Sequence, residues 1–408
     1  MVQTSAKKTA VMYGAGNIGR GFIGQLFCLS GYETQFIDIN MTLIDRLNTD
    51  HRYPHYTTAD DHYEKTYIEN VSGIDGRDVD AVAAAIASCS IMATAIGVNV
   101  LKFIGGNIAR GLSRRCAESG APLNIIVCEN MIGADEYLRG LVYEHLSDEE
   151  KRWADENVGF VEPSIGRMVP AVPAELSADN PLAVCVEPFC TLPIDAAACR
   201  GGLPDLVNLQ PYTPFRFFIE RKLFLHNMLH AMTADLGALQ GDVFVWESAC
   251  RPDLKLLTLL AAQESALALS REHGVEVGEL LAHGVELLTR FENKLLGDTL
   301  ARVGKDTQRK LGRNDRLVGA YLLAQKHGVR ANAIALGIAA GLHFAGEDDP
   351  SSAEAAAYAK ENGAAAALEK YSGLTDAALT EPVVRYYAML AEHSLTDMIR
   401  VVERDLIQ

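Results

Sequence analysis

A chain of 408 residues, 49% hydrophobic and 22% charged, is long for a single core and suits two domains of roughly 100–200 residues each. Its net charge of −16 at pH 7 argues against a general binder of nucleic acid or of an anionic membrane, since either needs a basic face. The eight cysteines form no CxxC pair and no Cys/His group at zinc spacing, so they read as free thiols of a reducing compartment and no metal site is expected.

The first residues, "MVQTSAKKTAVMYGAG", run straight into a strand pattern without the apolar core of a signal peptide, and a cytoplasmic location is expected. "TAVMYG" reads as a short buried strand, "NIGRGFIGQLFCLSG" as a helix closed by Gly31, and "ETQFIDI" as a second strand. The stretch from Thr49 to Asp75, rich in Tyr, His and Thr, reads as an inserted hairpin or long loop. Ala81 to Leu101 is uncharged and long enough for a membrane span. Its first half is helix-like, however, its second half "SIMATAIG" is strand-like, and Ser88, Ser90 and Asn99 interrupt it. A helix to about Ser119 and the strand "LNIIVCEN" follow. Strands alternating with helices imply a doubly wound, Rossmann-type parallel sheet. From Pro204 the pattern changes to amphipathic helices, expected over 215–236, 253–273, 276–297, 314–327, 331–345 and 352–370. The expected division is a dinucleotide-binding domain over 1–199 and a mostly α-helical substrate domain over 200–408.

"VMYGAGNIGRGF" places Gly14, Gly16 and Gly19 in a GxGxxG pattern between the first strand and the first helix. The first glycine permits the tight turn, the second admits a pyrophosphate and the third allows close helix–strand packing. Asn17 and Ile18 open the helix, whose N–H groups suit phosphates. Asp38 ends the second strand nineteen residues after Gly19. A carboxylate there accepts hydrogen bonds from ribose hydroxyls and repels a 2′-phosphate, which favours NAD over NADP.

In the helical half, "ERKLFLHNMLHAMTADLG" sets polar groups among apolar ones. At 100° per residue, Lys222, His226 and His230 step along one face by about 40°, whereas Lys222 and Asn227 stand about 140° apart. A desolvated lysine can act as a general base, and an asparagine N–H can hold a developing alkoxide. On chemistry alone, a solvated lysine at a helix start beside satisfied core histidines is as good a reading.

The segments "GAGNIGRGFIG", "ENM", "ERKLFLHNMLHA", "RFEN" and "RVGKDTQRKL" together resemble the polyol-specific long-chain dehydrogenases over nearly the whole chain, most closely those members that act on mannitol 1-phosphate. The resemblance implies a metal-independent, NAD-dependent interconversion of D-mannitol 1-phosphate and D-fructose 6-phosphate. In it Lys222 is the general base, Asn227 and Asn130 form the oxyanion hole, His230 contacts a substrate hydroxyl, and Arg302 and Lys310 bind substrate. His226 is left as packing. Arg302, Lys305, Arg309, Lys310, Arg313 and Arg316 fall within fifteen residues. They suit a sugar phosphate or, paired with Asp306 and Asp315, a solvated charged loop. Relatives carry Asp where this chain has Gly166 before Arg167, which leaves the exact polyol open; Glu162 is a candidate substitute. The alternatives are a sibling enzyme for a non-phosphorylated polyol or a hexuronate, and a non-catalytic NAD sensor. The expected partner is a small molecule, with no nucleic acid or membrane, and the expected state is monomer or homodimer.

Overall fold

The computed structural model describes residues 8–407 other than Asp60, Asp179 and Glu347, with Leu406 and Ile407 described by backbone only. Residues 1–7, which lead the N-terminal stretch read above, lie outside the described residues. The chain divides into two compact units, Met1–Phe215 and Arg216–Gln408.

Among the described residues of the first unit eleven strands follow in chain order: β1 Thr9–Tyr13, β2 Glu33–Asp38, β3 Arg52–Ala59, β4 His62–Glu69, β5 Val71–Asp75, β6 Ile91–Thr94, β7 Leu123–Val127, β8 Val158–Val161, β9 Val184–Val186, β10 Leu192–Asp195 and β11 Leu209–Tyr212. Six form a parallel sheet in the order β5-β2-β1-β6-β7-β8. The period of two divides β1 between two cores: Ala10 and Met12 pack on one face, Val11 and Tyr13 on the other. Both faces are buried, as expected of a parallel sheet covered by helices. From β1 the chain builds outward through β2, then returns to place β6 on the other side of β1. The crevice at the C-terminal ends of β1 and β6 is the switch point where ligands of such sheets bind.

The Thr49–Asp75 stretch holds the antiparallel hairpin β3–β4 and, in place of a continued insert, a main-sheet edge strand, β5. β9 joins the hairpin in parallel, and the Tyr53 hydroxyl donates to the Arg20 carbonyl at 2.7 Å, tying this small sheet to the first helix. The uncharged run Ala81–Leu101 is the end of helix Val79–Ser88, strand β6 and the start of helix Val98–Glu118. Among the described residues no helix is long and apolar enough to cross a membrane.

The second unit is helical, and three expectations change. The helix expected over 215–236 is Arg216–Arg221, a π-helical segment Lys222–Asn227, then Met228–Ala238. The one expected to reach 297 stops at Phe291, and a 3-10 turn, Lys294–Leu296, ends on Gly297 in the left-handed region. The 352–370 helix is split at Gly363, φ 88°, into Pro350–Asn362 and Ala364–Ser372. Beyond the expected spans lie two long helices, Ala377–Leu390 and Leu395–Ile407, and the short ones Val245–Ala249, Leu300–Gly304 and Thr307–Lys310. Helix Asn332–His343 is buried from Ala333 to Leu342. Its N-terminus is satisfied by the buried Glu264 carboxyl group, which accepts from the Ala333 and Ile334 N–H groups at 2.9 Å each.

Candidate active site

The glycine loop follows β1 and meets the requirements of a diphosphate cradle. Gly14 has φ +109°, and a Cβ there would lie 2.3 Å from the Ala95 carbonyl oxygen at the end of β6. A Cβ on Gly19 would lie 2.1 Å from the Gly14 carbonyl oxygen. At Gly16 the space is open: no described heavy atom comes within 4 Å of the Cβ position. Two glycines are thus demanded by packing, and the middle one leaves backbone exposed to a ligand. One Asp38 carboxylate oxygen accepts the Ala15 N–H at 2.8 Å and the other accepts the Asn40 N–H at 2.9 Å, which fixes the carboxylate beside the loop. The loop is pinned from below by Arg20, a buried residue the sequence reading passed over, whose Nε donates to the Ala15 carbonyl at 2.6 Å. Asn17 donates to the Pro170 carbonyl at 3.3 Å, and Ile18 packs on the sheet core.

Around the loop after β6, Glu129 does what no motif announced. Its buried carboxylate accepts from Ile96 N–H at 2.9 Å and Gly97 N–H at 2.8 Å. The next residue, Asn130, is exposed in the bend after β7. Glu162, offered above as a replacement for the missing aspartate, accepts the Gly133 N–H at 3.2 Å and so braces the segment that follows Asn130. Arg167 is buried, donates to the Glu187 carbonyl at 3.0 and 2.7 Å and to the Gly21 carbonyl at 3.2 Å, and also bonds Gln25. A Cβ on Gly166 would lie 3.4 Å from the Phe189 ring, an ordinary contact, so the ring borders that position without filling it.

In the second unit the π-helical segment begins at Lys222 and ends at Asn227. Hydrogen bonds running from i to i+5 set residues five apart nearly in register, as residues four apart are in an α-helix. On that geometry the 140° separation expected for Lys222 and Asn227 is much reduced, which puts these two half-buried residues toward one side of the helix. His226 is buried, and burial, with Arg290 next, holds its pKa well below the ordinary value, so it is neutral.

His230 stacks on Phe291 of "RFEN" with ring centroids 4.8 Å apart and planes at 18°. Its Nε2 is buried and 3.6 Å from Asp298 Oδ2, just beyond a full hydrogen bond. Burial lowers the His230 pKa and Asp298 opposes that shift. Asp298, which sequence reasoning missed, is buried, and its two oxygens are taken by Nε and Nη2 of Arg302 in a bidentate pair. Its position four residues before Arg302 was the available signal. Burial would raise the Asp298 carboxyl, but His230 and Arg302 outweigh that and hold it at about 2.

Lys310 does not point to solvent. It is 4% exposed, donates to the Val303 carbonyl, and faces the equally buried Asp235. Burial lowers the lysine and raises the aspartate, so their charges depend on each other. Of the other basic residues, Arg309 pairs with Asp306 at 2.5 Å and Asp315 at 3.1 Å, and Arg316 pairs with Asp315 at 2.8 Å. Arg313 donates to the Gly373 carbonyl at 3.4 Å, and Lys305 is exposed. The solvated, Asp-paired reading thus describes Arg309, whereas Arg316 is paired but its side chain is only 12% exposed. The Arg302 side chain remains 56% exposed beyond its bond to Asp298. No three His, Cys, Asp or Glu side chains gather as a metal-ligand set among the described residues.

Comparison with known proteins gives the family. Residues 8–208 match the family model for the mannitol dehydrogenase Rossmann domain, and residues 215–391 match that for the mannitol dehydrogenase C-terminal domain. Among solved structures, Pseudomonas fluorescens mannitol 2-dehydrogenase, in a ternary complex with NAD and D-mannitol, superposes with a TM-score of 0.75 at 17% identity, covering 98% of this chain and 95% of that one. A D-sorbitol dehydrogenase in substrate-free form gives a TM-score of 0.79 at 17% identity, with 95% and 94% covered. At that identity the likeness is one of fold. The two family models together span nearly all of the sequence, and the chain belongs to the mannitol dehydrogenase family.

Proposed function

We propose that the protein is an NAD-dependent, metal-independent polyol dehydrogenase, and that its substrate pair is D-mannitol 1-phosphate and D-fructose 6-phosphate. The observation that carries the proposal is the π-helical register of Lys222 and Asn227 inside the signature helix, because it puts an amine and an amide donor toward one side of the helix. The residues around the glycine loop fit a dinucleotide: Gly16 is open and Asp38 is held at the loop's edge, where it can accept from ribose hydroxyls. NAD, when bound, supplies the hydride acceptor. Lys222, as the neutral amine, takes the proton of the reacting hydroxyl and in reduction returns it. Asn227 donates to the oxygen as charge develops, and the family resemblance gives Asn130 the second donor role. His230 presents a buried Nε2 with no protein hydrogen bond, suited to a substrate hydroxyl, while Asp298 and Phe291 fix its ring.

Exposed Arg302, with Lys305 three residues on, supplies the positive charge a phosphate needs. One observation favours a non-phosphorylated polyol instead: Asp298 already engages Arg302, and Lys310 is turned inward. The mannitol 2-dehydrogenase structure, solved with D-mannitol, points the same way. A panel of fructose 6-phosphate, fructose and tagaturonate with NADH and NADPH, followed by loss of reduced-cofactor absorbance, separates these readings. Fructose 6-phosphate should lead with NADH. Equal rates for fructose would pass the assignment to the sibling enzyme, and NADH binding with no turnover of any ketose would make the protein a sensor.

A further inference from the structure

A π-turn inserted in a helix leaves one carbonyl without a helical donor where the register returns from i+5 to i+4. In a buried helix that carbonyl needs another partner. Here a neighbouring helix provides it. Ser265, on helix Pro252–His273 and 1% exposed, donates its hydroxyl to the Phe224 carbonyl at 2.7 Å, in the middle of Lys222–Asn227. This is not the usual habit of a helical hydroxyl, which bonds back to its own helix, as Thr258 does to Leu254 and Thr233 to Leu229. The segment is also gripped by shape: a Cβ on Gly319 would lie 2.5 Å from the Phe224 ring, and one on Gly284 would lie 3.7 Å from Leu225. Ser265 supplies the one polar contact among these, and it has no part in the chemistry described above.

We propose that Ser265 is a positioning residue for the reaction: its hydroxyl holds the Phe224 carbonyl and so stabilises the π register that sets Lys222 beside Asn227. The proposal rests on the reading of Lys222 as base and Asn227 as oxygen donor. Without the hydroxyl the segment gains by reverting toward α-helical bonding, which swings Asn227 away from Lys222.

The test uses the full-length enzyme with NADH and both fructose 6-phosphate and fructose, comparing Ser265→Ala, Ser265→Thr and Lys222→Ala. Ser265→Ala should lower kcat by at least about tenfold, as expected of a misplaced catalytic pair, while the KM for NADH stays unchanged. Ser265→Thr, which keeps the hydroxyl, should restore most of kcat. If folded Ser265→Ala turns over like the parent while Lys222→Ala is inactive, the positioning role is overturned and the reading of Lys222 stands. If Lys222→Ala is itself fully active, the reading falls first. Equal losses in the Ala and Thr variants, with a shared fall in Tm, would mean packing alone and would also overturn the proposal. Should Ser265→Ala not fold, Ser265→Cys, of similar size but a weak donor, replaces it: a lowered kcat supports the role and a parental kcat refutes it.

Discussion

Asp298 shows how one unannounced carboxylate organises its neighbours. It pairs with Arg302 through both oxygens and stands 3.6 Å from the His230 ring nitrogen. Because its folded pKa is held at about 2, below the ordinary carboxylate value, the stabilisation is present above about pH 4 and is lost as pH falls through 2. With Arg302 more than half exposed, solvent screening leaves roughly 1–2 kcal/mol. Asp298→Asn should therefore flatten the acid limb of a Tm-against-pH curve between about pH 4 and 2. An unchanged limb would place the acid sensitivity elsewhere. Lys222→Ala should lower kcat by roughly 10²–10⁴, the usual worth of a positioned general base, with NADH affinity little changed. Single-turnover and binding measurements separate the two effects.

At the scale of elements, helix termini and breaks determine where side chains are delivered. Glu264 closes the N-terminus of the most buried helix, with one N–H on each oxygen. Burial drives its carboxyl up to about 8 against the pull of those backbone bonds. Glu264→Ala leaves two buried donors unpaired and should destabilise the protein by roughly 2–4 kcal/mol, whereas Glu264→Gln, which keeps one acceptor, should lose about half of that. Denaturant midpoints measure both, and equal midpoints for parent and Ala variant would show that the cap is dispensable. The existence of the helices over 253–273, 314–327 and 331–345 was legible from their apolar periodicity. The register inside Lys222–Asn227 was not. A pattern read at 100° per residue carries no mark of a single inserted residue, and the partner that supports the insertion, Ser265, lies 41 positions away from Phe224.

For the molecule as a whole, the two units carry different parts of the proposed chemistry, and the substrate is the open variable. If the phosphate reading holds, two charge-assisted bonds at about 1.5–3 kcal/mol each make fructose 6-phosphate better than fructose by at least about 10²-fold in kcat/KM. Part of that gain should appear in kcat, because remote binding orients the reacting carbon. NADH should be preferred to NADPH, and Asp38→Ala should narrow the gap by removing both the ribose acceptor and the repulsion. A parent enzyme that uses both cofactors equally would remove Asp38 from that role.

The Rossmann-type half was readable from the chain alone because its signals are local: a strand, three glycines at fixed spacing and an acidic residue at the end of the next strand all lie within Thr9–Asp38. The helical class of the second half was readable for the same reason. What only the tertiary structure decided are relations between distant segments. Lys310 has the charge of a ligand-binding lysine, yet packing against Asp235, 75 positions earlier, turns it inward. Arg302 and Asp298 are close in sequence, but it is the stacking of His230 on Phe291 that brings a histidine from another helix to the same carboxylate. Burial and long-range pairing set which charges face a substrate, and neither is written in the spacing of residues along the chain.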